Sequence, residues 1–207
     1  MRDLVPFRKF TLISAQMNGK VVNYSKIARQ VGVSYNTIKS YYEILEDTLM
    51  GFHVPAYHRS VRKQQISSPK FYYIDPGIRN ALMKTLEARI LPATSSYGAA
   101  FEHFIVCEIY KYLKVQRPDY ELSFLTTKDD AEIDLIITRH SRPPVLIEIK
   151  SKEQVFAEDA RHLRHFRKDF DSQLGPAKCL IISRDKAPKD FGGIRAIYFE
   201  DMLGEFD

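Results

Sequence analysis

The sequence predicts a mixed α/β (α+β) protein in two parts: a helical front half that ends in a β-hairpin, and a back half in which helices flank a mixed sheet. Three observations carry this. Residues 3–47 place apolar side chains at helical spacing in three successive segments. From residue 99 onward, helix-like and strand-like segments follow in the order αβββαββ. Between the two patterns lies Leu91-Pro92-Ala93-Thr94-Ser95-Ser96-Tyr97-Gly98, rich in Pro, Ser, Thr and Gly, which sets the expected domains at residues 1–97 and 98–207.

In the front half, residues 3–17 read as a helix with Phe7, Phe10, Leu12, Ile13 and Met17 as its apolar positions. Asn23 is placed to cap a second helix carrying Ile27, Ala28 and Val31. Gly32 tolerates the positive φ that a tight inter-helix turn needs. Ser34 is placed to cap a third helix, with Ile38, Tyr42 and Leu45 on one face. GFHVPAY (51–57) and KFYYID (70–75) read as strands, with the basic segment His58 to Lys63 between them. Helix, helix, turn, helix and hairpin make a winged helix-turn-helix.

The third helix is expected to present Ser34, Tyr35, Asn36, Lys39 and Ser40 outward. When such a motif docks in a major groove, residues near the amino terminus of this helix reach the base edges. Asn36 suits adenine, and Tyr35 and Lys39 suit phosphate. The hairpin region adds Arg59, Arg62, Lys63 and Lys70. Charge distribution agrees. Residues 1–97 hold 14 Lys and Arg against 6 Asp and Glu, a net of +8, whereas the remainder holds 17 against 20, a net of −3. A basic front half suits a polyanion, so DNA is the expected partner. A purely structural role for these helices is the alternative, since the third helix has a single cation.

In the back half, residues 99–114 form an amphipathic helix through Phe101, Phe104, Ile105, Ile109 and Leu113. Tyr120–Leu125, Ala131–Thr138 and Pro144–Ser151 read as strands, 156–171 as a helix, and Lys178–Ser183 and Ile194–Phe199 as strands. Strands alternate faces with a period of two. In the third of these strand pieces Glu148 and Lys150 therefore share the face opposite Val145, Ile147 and Ile149. In the second, Glu132 and Asp134 share the face opposite Ile133, Leu135 and Ile137. Charges in such apolar strands are costly unless paired or metal-bound. If the two strands are neighbours, Asp134, Glu148 and Lys150 converge.

That set fits phosphodiester hydrolysis. Asp134, Glu148 and the main-chain carbonyl of Ile149 suit Mg²⁺ (or Mn²⁺) with water positions left open. Such a metal activates a bound water and neutralises charge on phosphate oxygens. Lys150 would orient or deprotonate the water, or stabilise the transition state. Glu102, on the preceding helix, adds a further carboxylate. The plain alternative is that Glu132, Glu148 and Lys150 are solvated charges on an edge sheet. The spacing I-D-x(13)-E-x-K across two strongly apolar strands favours the site.

Other readings are narrower. A hydrophobic fraction of 44% with 28% charged residues is enough for a real core. No apolar run approaches the roughly 20 residues that span a bilayer, and Met1 to Pro6 lacks an apolar signal segment, so a cytoplasmic, non-membrane protein is expected. Cys107 and Cys179 lie in apolar stretches, as core thiols do. His162 and His165, with Arg161, Arg164, Arg167 and Lys168, read as a basic helix face, because a zinc site needs further ligands nearby. Tyr41, Tyr57 and Tyr72 are candidates for stacking on bases, although most aromatics fall at core spacings.

At these residues the chain resembles a known family. It looks like the carboxy-terminal region of the prokaryotic AAA+-type ATPases that end in a winged helix and a domain of unknown function related to the PD-(D/E)xK nucleases. VNYSKIARQVGVSYNTIKSYYEILEDTLM resembles the winged-helix segment. SSPKFYYIDPGI (67–78) resembles the linker strand and its Asp-x-Gly turn, and GAAFEHFIVCEI (98–109) the helix bearing the first acidic residue, Glu102. AEIDLII and VLIEIKSK resemble the E-[VI]-D and E-x-K strands. The resemblance implies a restriction-endonuclease-like fold for the back half, with Asp134, Glu148 and Lys150 at its centre and Glu102 beside them.

Two departures stand out. There is no G-x-x-x-x-G-K-[ST] loop: Gly19-Lys20 is followed by Val21, and Ser14 stands where the first glycine belongs. No ATPase activity is expected from this chain alone, and an AAA+ ATPase portion or partner is implied instead. Thr126-Thr127-Lys128 stands where the family often has an arginine, leaving Lys128 as the substitute phosphate ligand. The expected function is therefore a DNA-associated protein whose winged helix positions a Mg²⁺-dependent nuclease-like domain. The alternative is a non-catalytic DNA- or protein-interaction module of an AAA+-type ATPase.

Overall fold

The computed structural model describes residues 4–58, 67–127, 131–140 and 142–206. Three helices open the chain: α1 (Val5–Gln16), α2 (Tyr24–Val31) and α3 (Tyr35–Asp47). Their ends follow from local chemistry. Asn23 Oδ1 accepts the Lys26 N–H at 2.9 Å, and Ser34 Oγ accepts the Thr37 N–H at 3.1 Å. Each removes one orphan donor of a helix start. Gly32 sits at φ +86°, where its N–H closes α2 on the Ala28 carbonyl at 2.9 Å. The buried faces are those the periodicity predicts, Ile27, Ala28 and Val31 on α2 and Ile38, Tyr42 and Leu45 on α3. Leu12 departs from expectation and faces outward on α1.

The strands β1 (Gly51–Val54) and β2 (Lys70–Tyr73) pair antiparallel from Gly51–Tyr73 to Val54–Lys70. Both are shorter than the sequence suggests. After Pro55 the chain leaves this ladder: the Tyr57 N–H donates to the Phe124 carbonyl at 2.6 Å, and the Phe124 N–H to the Pro55 carbonyl at 3.0 Å. At the other end Asp75 Oδ1 accepts from Gly77 and Ile78 and starts a helix the sequence reading missed, α4 (Pro76–Leu82). All four residues of β2 are buried. Phe71 and Tyr73 pack among the first three helices, whereas Tyr72 and the β1 residues Phe52 and Val54 pack against the back half. The hairpin is thus buried on both faces.

The back half begins with α5 (Ser95–Gln116), which Thr94 caps through the Tyr97 N–H at 3.2 Å. It continues through β3 (Glu121–Thr126), β4 (Glu132–Arg139), β5 (Arg142–Lys150), a 3₁₀ turn (Ala157–Ala160), α6 (Arg161–Leu174), β6 (Lys178–Ser183), β7 (Lys189–Asp190), β8 (Ile194–Tyr198) and a closing 3₁₀ segment (Phe199–Phe206). The six-stranded sheet runs β3-β4-β5-β6-β8-β7. β3, β4 and β5 are antiparallel; β6 lies parallel to β5 and β8 parallel to β6; β7 is antiparallel to β8. One face packs on α5 through Ile105, Ile109, Leu135, Ile147 and Leu180. The other packs on α6 through Ile133, Leu146, Leu163, Phe166 and Ile181. The mixed α+β architecture is the one the order of segments predicts.

One detail of the alternation fails. Ile133 was expected to share a face with Leu135 and Ile137, yet it packs on the α6 side while the other two pack on the α5 side. The β3–β4 register explains this. It runs Ser123–Ile136 and then Leu125–Ile133, so two steps on β3 span three on β4. The extra residue is a β-bulge, which bends a strand and re-aims the side chains beside it. Here it falls at Asp134 and Leu135.

Phe52 is buried and stacks on Tyr110 of α5 with ring centroids 3.6 Å apart and planes within 7°. With Tyr72 it carries aromatic bulk from the hairpin into the α5 core. Truncating a buried phenylalanine costs about 3–5 kcal/mol. Phe52→Ala is therefore expected to lower stability by about that amount in urea titrations. A loss under about 1 kcal/mol would mean that the two halves do not share this core.

Candidate functional site

The site forms where β4 and β5 part. Their ladder ends at the Leu135–Ile147 pair. Beyond it, β4 stays with β3 through Thr126–Glu132, and β5 continues beside β6 through Lys150–Ser183. Asp134 on one side and Glu148 and Lys150 on the other line the resulting cleft. Asp134 Oδ2 accepts the Ile149 N–H at 2.6 Å, so a carboxylate takes a main-chain donor at the end of the ladder. Lys150 Nζ donates to Glu148 Oε1 at 2.5 Å. The other Glu148 oxygen, Oε2, is buried and has no hydrogen-bond partner among the described residues.

Glu102 of α5 approaches the same cleft. Its Oε1 accepts the Tyr72 hydroxyl at 2.8 Å and lies 3.8 Å from Lys70 Nζ. Lys70 also binds Glu132 Oε1 at 2.5 Å. In the sequence Lys70 counts among the cations of the hairpin region. It points inward, only 8% of its side chain exposed, because β2 is covered on both faces. The sequence signal was present: period two in KFYY puts Lys70 on the face of Tyr72. Sequence reasoning also missed His162 of α6 as an electrostatic neighbour of Glu148.

The electrostatics follow from this crowding. Burial, then repulsion from Glu148 and Glu102, pushes the Asp134 carboxyl well above the usual carboxylate range, against the pull of the Ile149 N–H and Lys150. Burial also raises Glu148, and Lys150 opposes it. For the two lysines burial alone would lower the pKa. Glu148, with help from Asp134, outweighs it for Lys150, and Glu102 and Glu132 do so for Lys70, so both ammonium groups end raised and charged.

The structure brings Asp134, Glu148 and Lys150 together where β4 and β5 part, and Glu102 of α5 lies near enough to repel Asp134. Among the described residues no group of three or more His, Cys, Asp and Glu side chains is arranged to hold a metal ion. On α3, Ser34, Tyr35, Asn36 and Lys39 are all exposed. The Ser34 hydroxyl is committed to the cap, and Lys39 Nζ lies 5.2 Å above the Tyr35 ring. Arg59, Arg62, Lys63 and Lys128 lie outside the described residues. Tyr72 cannot stack on bases because it is buried. Tyr41 packs edge-on against Phe7, and Tyr57 packs against Phe170. Both cysteines are buried and free. No helix among the described residues is long and apolar enough to cross a membrane.

A mixed sheet between two helices, with a carboxylate–lysine cluster where two strands separate, is the class of protein this defines. Residues 97–202 match a domain of unknown function, DUF4143, and the chain belongs to that family. Residues 1–89 match a second domain of unknown function, DUF8612. The uncharacterized proteins Mb2031c of Mycobacterium bovis and Rv2008c of Mycobacterium tuberculosis are each 27% identical over 136 residues, covering 66% of this chain. The match covers only 30% of either relative. Among solved structures, a chain of the refined half-complex from the tetradecameric assembly of Thermococcus gammatolerans McrB AAA+ hexamers with bound McrC is similar at a TM-score of 0.36 and 12% identity, over 95% of this chain and 46% of that one.

The raised Asp134 carboxyl has a consequence for stability. Between the ordinary carboxylate pKa, about 4, and its raised value, the folded protein keeps a proton that the unfolded chain releases. Stability from this group therefore falls as pH rises through that window. Asp134→Asn removes the charge and keeps an oxygen for the Ile149 N–H. In EDTA its melting temperature is expected to exceed that of the wild type near neutral pH, with the gap closing towards about pH 4. Thermal melts across that range check this; a lower melting temperature for D134N near neutral pH would contradict it.

Proposed function

We propose that this is a DNA-associated protein in which a winged helix seats the nucleic acid and a nuclease-like centre at Asp134, Glu148 and Lys150 hydrolyses phosphodiesters with Mg²⁺. The observation that carries this reading is Glu148 Oε2, buried without a partner among the described residues beside a second carboxyl that burial and charge repulsion both push up. Taking a carboxylate oxygen out of water without compensation costs several kcal/mol. A divalent cation, if held by Asp134 and Glu148, would supply that compensation.

The donor set fits a hard cation: carboxylate oxygens, with the Ile149 carbonyl between Glu148 and Lys150 in the chain. When bound, such a cation lowers the pKa of a coordinated water and neutralises phosphate charge. The protein's own groups do the rest. The Ile149 N–H fixes the Asp134 carboxylate at one oxygen, leaving Oδ1 for the ion. Lys150 fixes Glu148 at Oε1, leaving Oε2. The Lys150 ammonium, charged and partly shielded from water, is placed to stabilise negative charge as it develops on a phosphate. Tyr35, Asn36 and Lys39 form an exposed surface on α3 that suits a groove and its phosphates.

Incubating the chain with Mg²⁺ or Mn²⁺ and single-stranded, duplex and branched DNA tests the proposal. Cleavage is expected, and Asp134→Asn, Glu148→Gln and Lys150→Met should each reduce it by about 10²–10⁴-fold. Absence of cleavage on every DNA, together with no metal-dependent thermal shift, rejects the catalytic reading. For the DNA surface, Lys39→Ala is expected to weaken duplex binding and to flatten the log–log salt dependence by about one unit. An unchanged salt slope would remove Lys39 from the interface.

One observation favours a second reading. The match covers under a third of either curated relative, as it would for one module of a larger machine. In that case the fold serves as a non-catalytic DNA- or protein-interaction module of an AAA+-type ATPase. Metal-independent DNA binding without cleavage is its expected signature.

A further inference from the structure

We propose that Lys70 is a built-in cation that occupies the Glu102–Glu132 end of the carboxylate cluster and restricts the cluster to a single divalent ion. The inference rests on the metal reading of Asp134 and Glu148. Its basis is the position of one ammonium group. Lys70 Nζ lies 2.5 Å from Glu132 Oε1, 3.8 Å from Glu102 Oε1 and 5.0 Å from the Phe124 ring centre. It comes from β2, across the interface between the two halves, into carboxylates supplied by α5 and β4. Burying an ammonium costs several kcal/mol and is sustained only by such close partners.

Charge balance points the same way. Glu102, Glu132, Asp134 and Glu148 bring four carboxylates, and Lys70 and Lys150 two ammonium groups. Once an arriving ion displaces the Asp134 proton, the remaining two negative charges match one divalent ion. Glu132 and Glu102 hold Lys70 as an ion would be held, by converging oxygens, and Glu102 is steadied by the Tyr72 hydroxyl at 2.8 Å. With a neutral side chain at position 70, the Glu102–Glu132 pair loses its counter-ion beside Asp134. A second divalent ion then takes the vacated place. Lys70 is thus a positioning residue that sets how many metal ions the centre holds.

Mn²⁺ binding to the full chain, followed by calorimetry and by the loss of the free-ion resonance signal, tests this. Lys70→Met and Lys70→Gln should each bind one Mn²⁺ more than the wild type. Lys70→Arg should not, and the extra ion should vanish in K70M/E132Q. No gain in either neutral variant overturns the proposal. The wild-type stoichiometry separately tests the metal reading. One ion in the wild type and one in K70M rejects the role of Lys70 alone. None in the wild type and one in K70M rejects the Asp134–Glu148 ion alone. Should the neutral variants be unfolded in EDTA, Mn²⁺ is expected to restore their circular dichroism, and failure to do so also overturns the proposal.

Discussion

The hydrogen bond from the Ile149 N–H to the Asp134 carboxylate is the contact on which the arrangement of the cleft depends. In a continuous ladder there is no room for a carboxylate between two strands. The bulge in β4 makes that room, and the strands diverge to opposite neighbours beyond Leu135–Ile147. The donor released at the divergence must still be satisfied, since a buried unpaired N–H costs about 1–3 kcal/mol. Asp134 satisfies it with one oxygen. The same act points a charged group into a cleft whose other wall carries Glu148 and Lys150. Backbone satisfaction and site assembly are one event.

That event crowds negative charge, and the rest of the fold answers it with cations from two directions. Lys150 comes from the adjacent strand, two residues beyond Glu148, at a spacing that period two alone provides. Lys70 comes from the other half of the protein. It reaches the cleft because the β1–β2 hairpin is a shared layer, with Phe71 and Tyr73 in the helical core and Phe52, Val54 and Tyr72 in the α5 core. The hairpin is therefore a structural partition and a contributor to the site. With both faces of its described strands covered, the hairpin leaves little free surface of its own, whereas Tyr35, Asn36 and Lys39 on α3 remain exposed.

Much of this was legible in one dimension because the relevant physics is local. Helix caps at Asn23 and Ser34 and the turn at Gly32 depend on residues within three or four positions. Alternation within β5 placed Glu148 and Lys150 on one face without reference to anything else. The order of helices and longer strands along the chain followed from the hydrophobic patterns, whereas the two-residue β7 had too little pattern to show. The misreadings share a cause. Lys70 looked like a surface cation because its burial is decided by α5 and β4, more than thirty residues away in sequence. The Ile133 face was misassigned because a bulge is a property of two paired strands. His162 reads as part of a basic helix face until α6 is seen to lie over β5.

Residue types and their spacing were thus enough for the class of fold, the segment order and three of the four members of the Asp134, Glu148, Lys150 and Glu102 set as strand-borne charges that needed partners. Each of those depends on periodicity within one element. Which oxygen is held and which is left bare, and which lysine neutralises which carboxylate, were decided only when non-neighbouring elements met. Desolvation and charge repulsion are set by everything within a few ångströms, whatever its distance along the chain, and Lys70 between Glu102 and Glu132 is the clearest case.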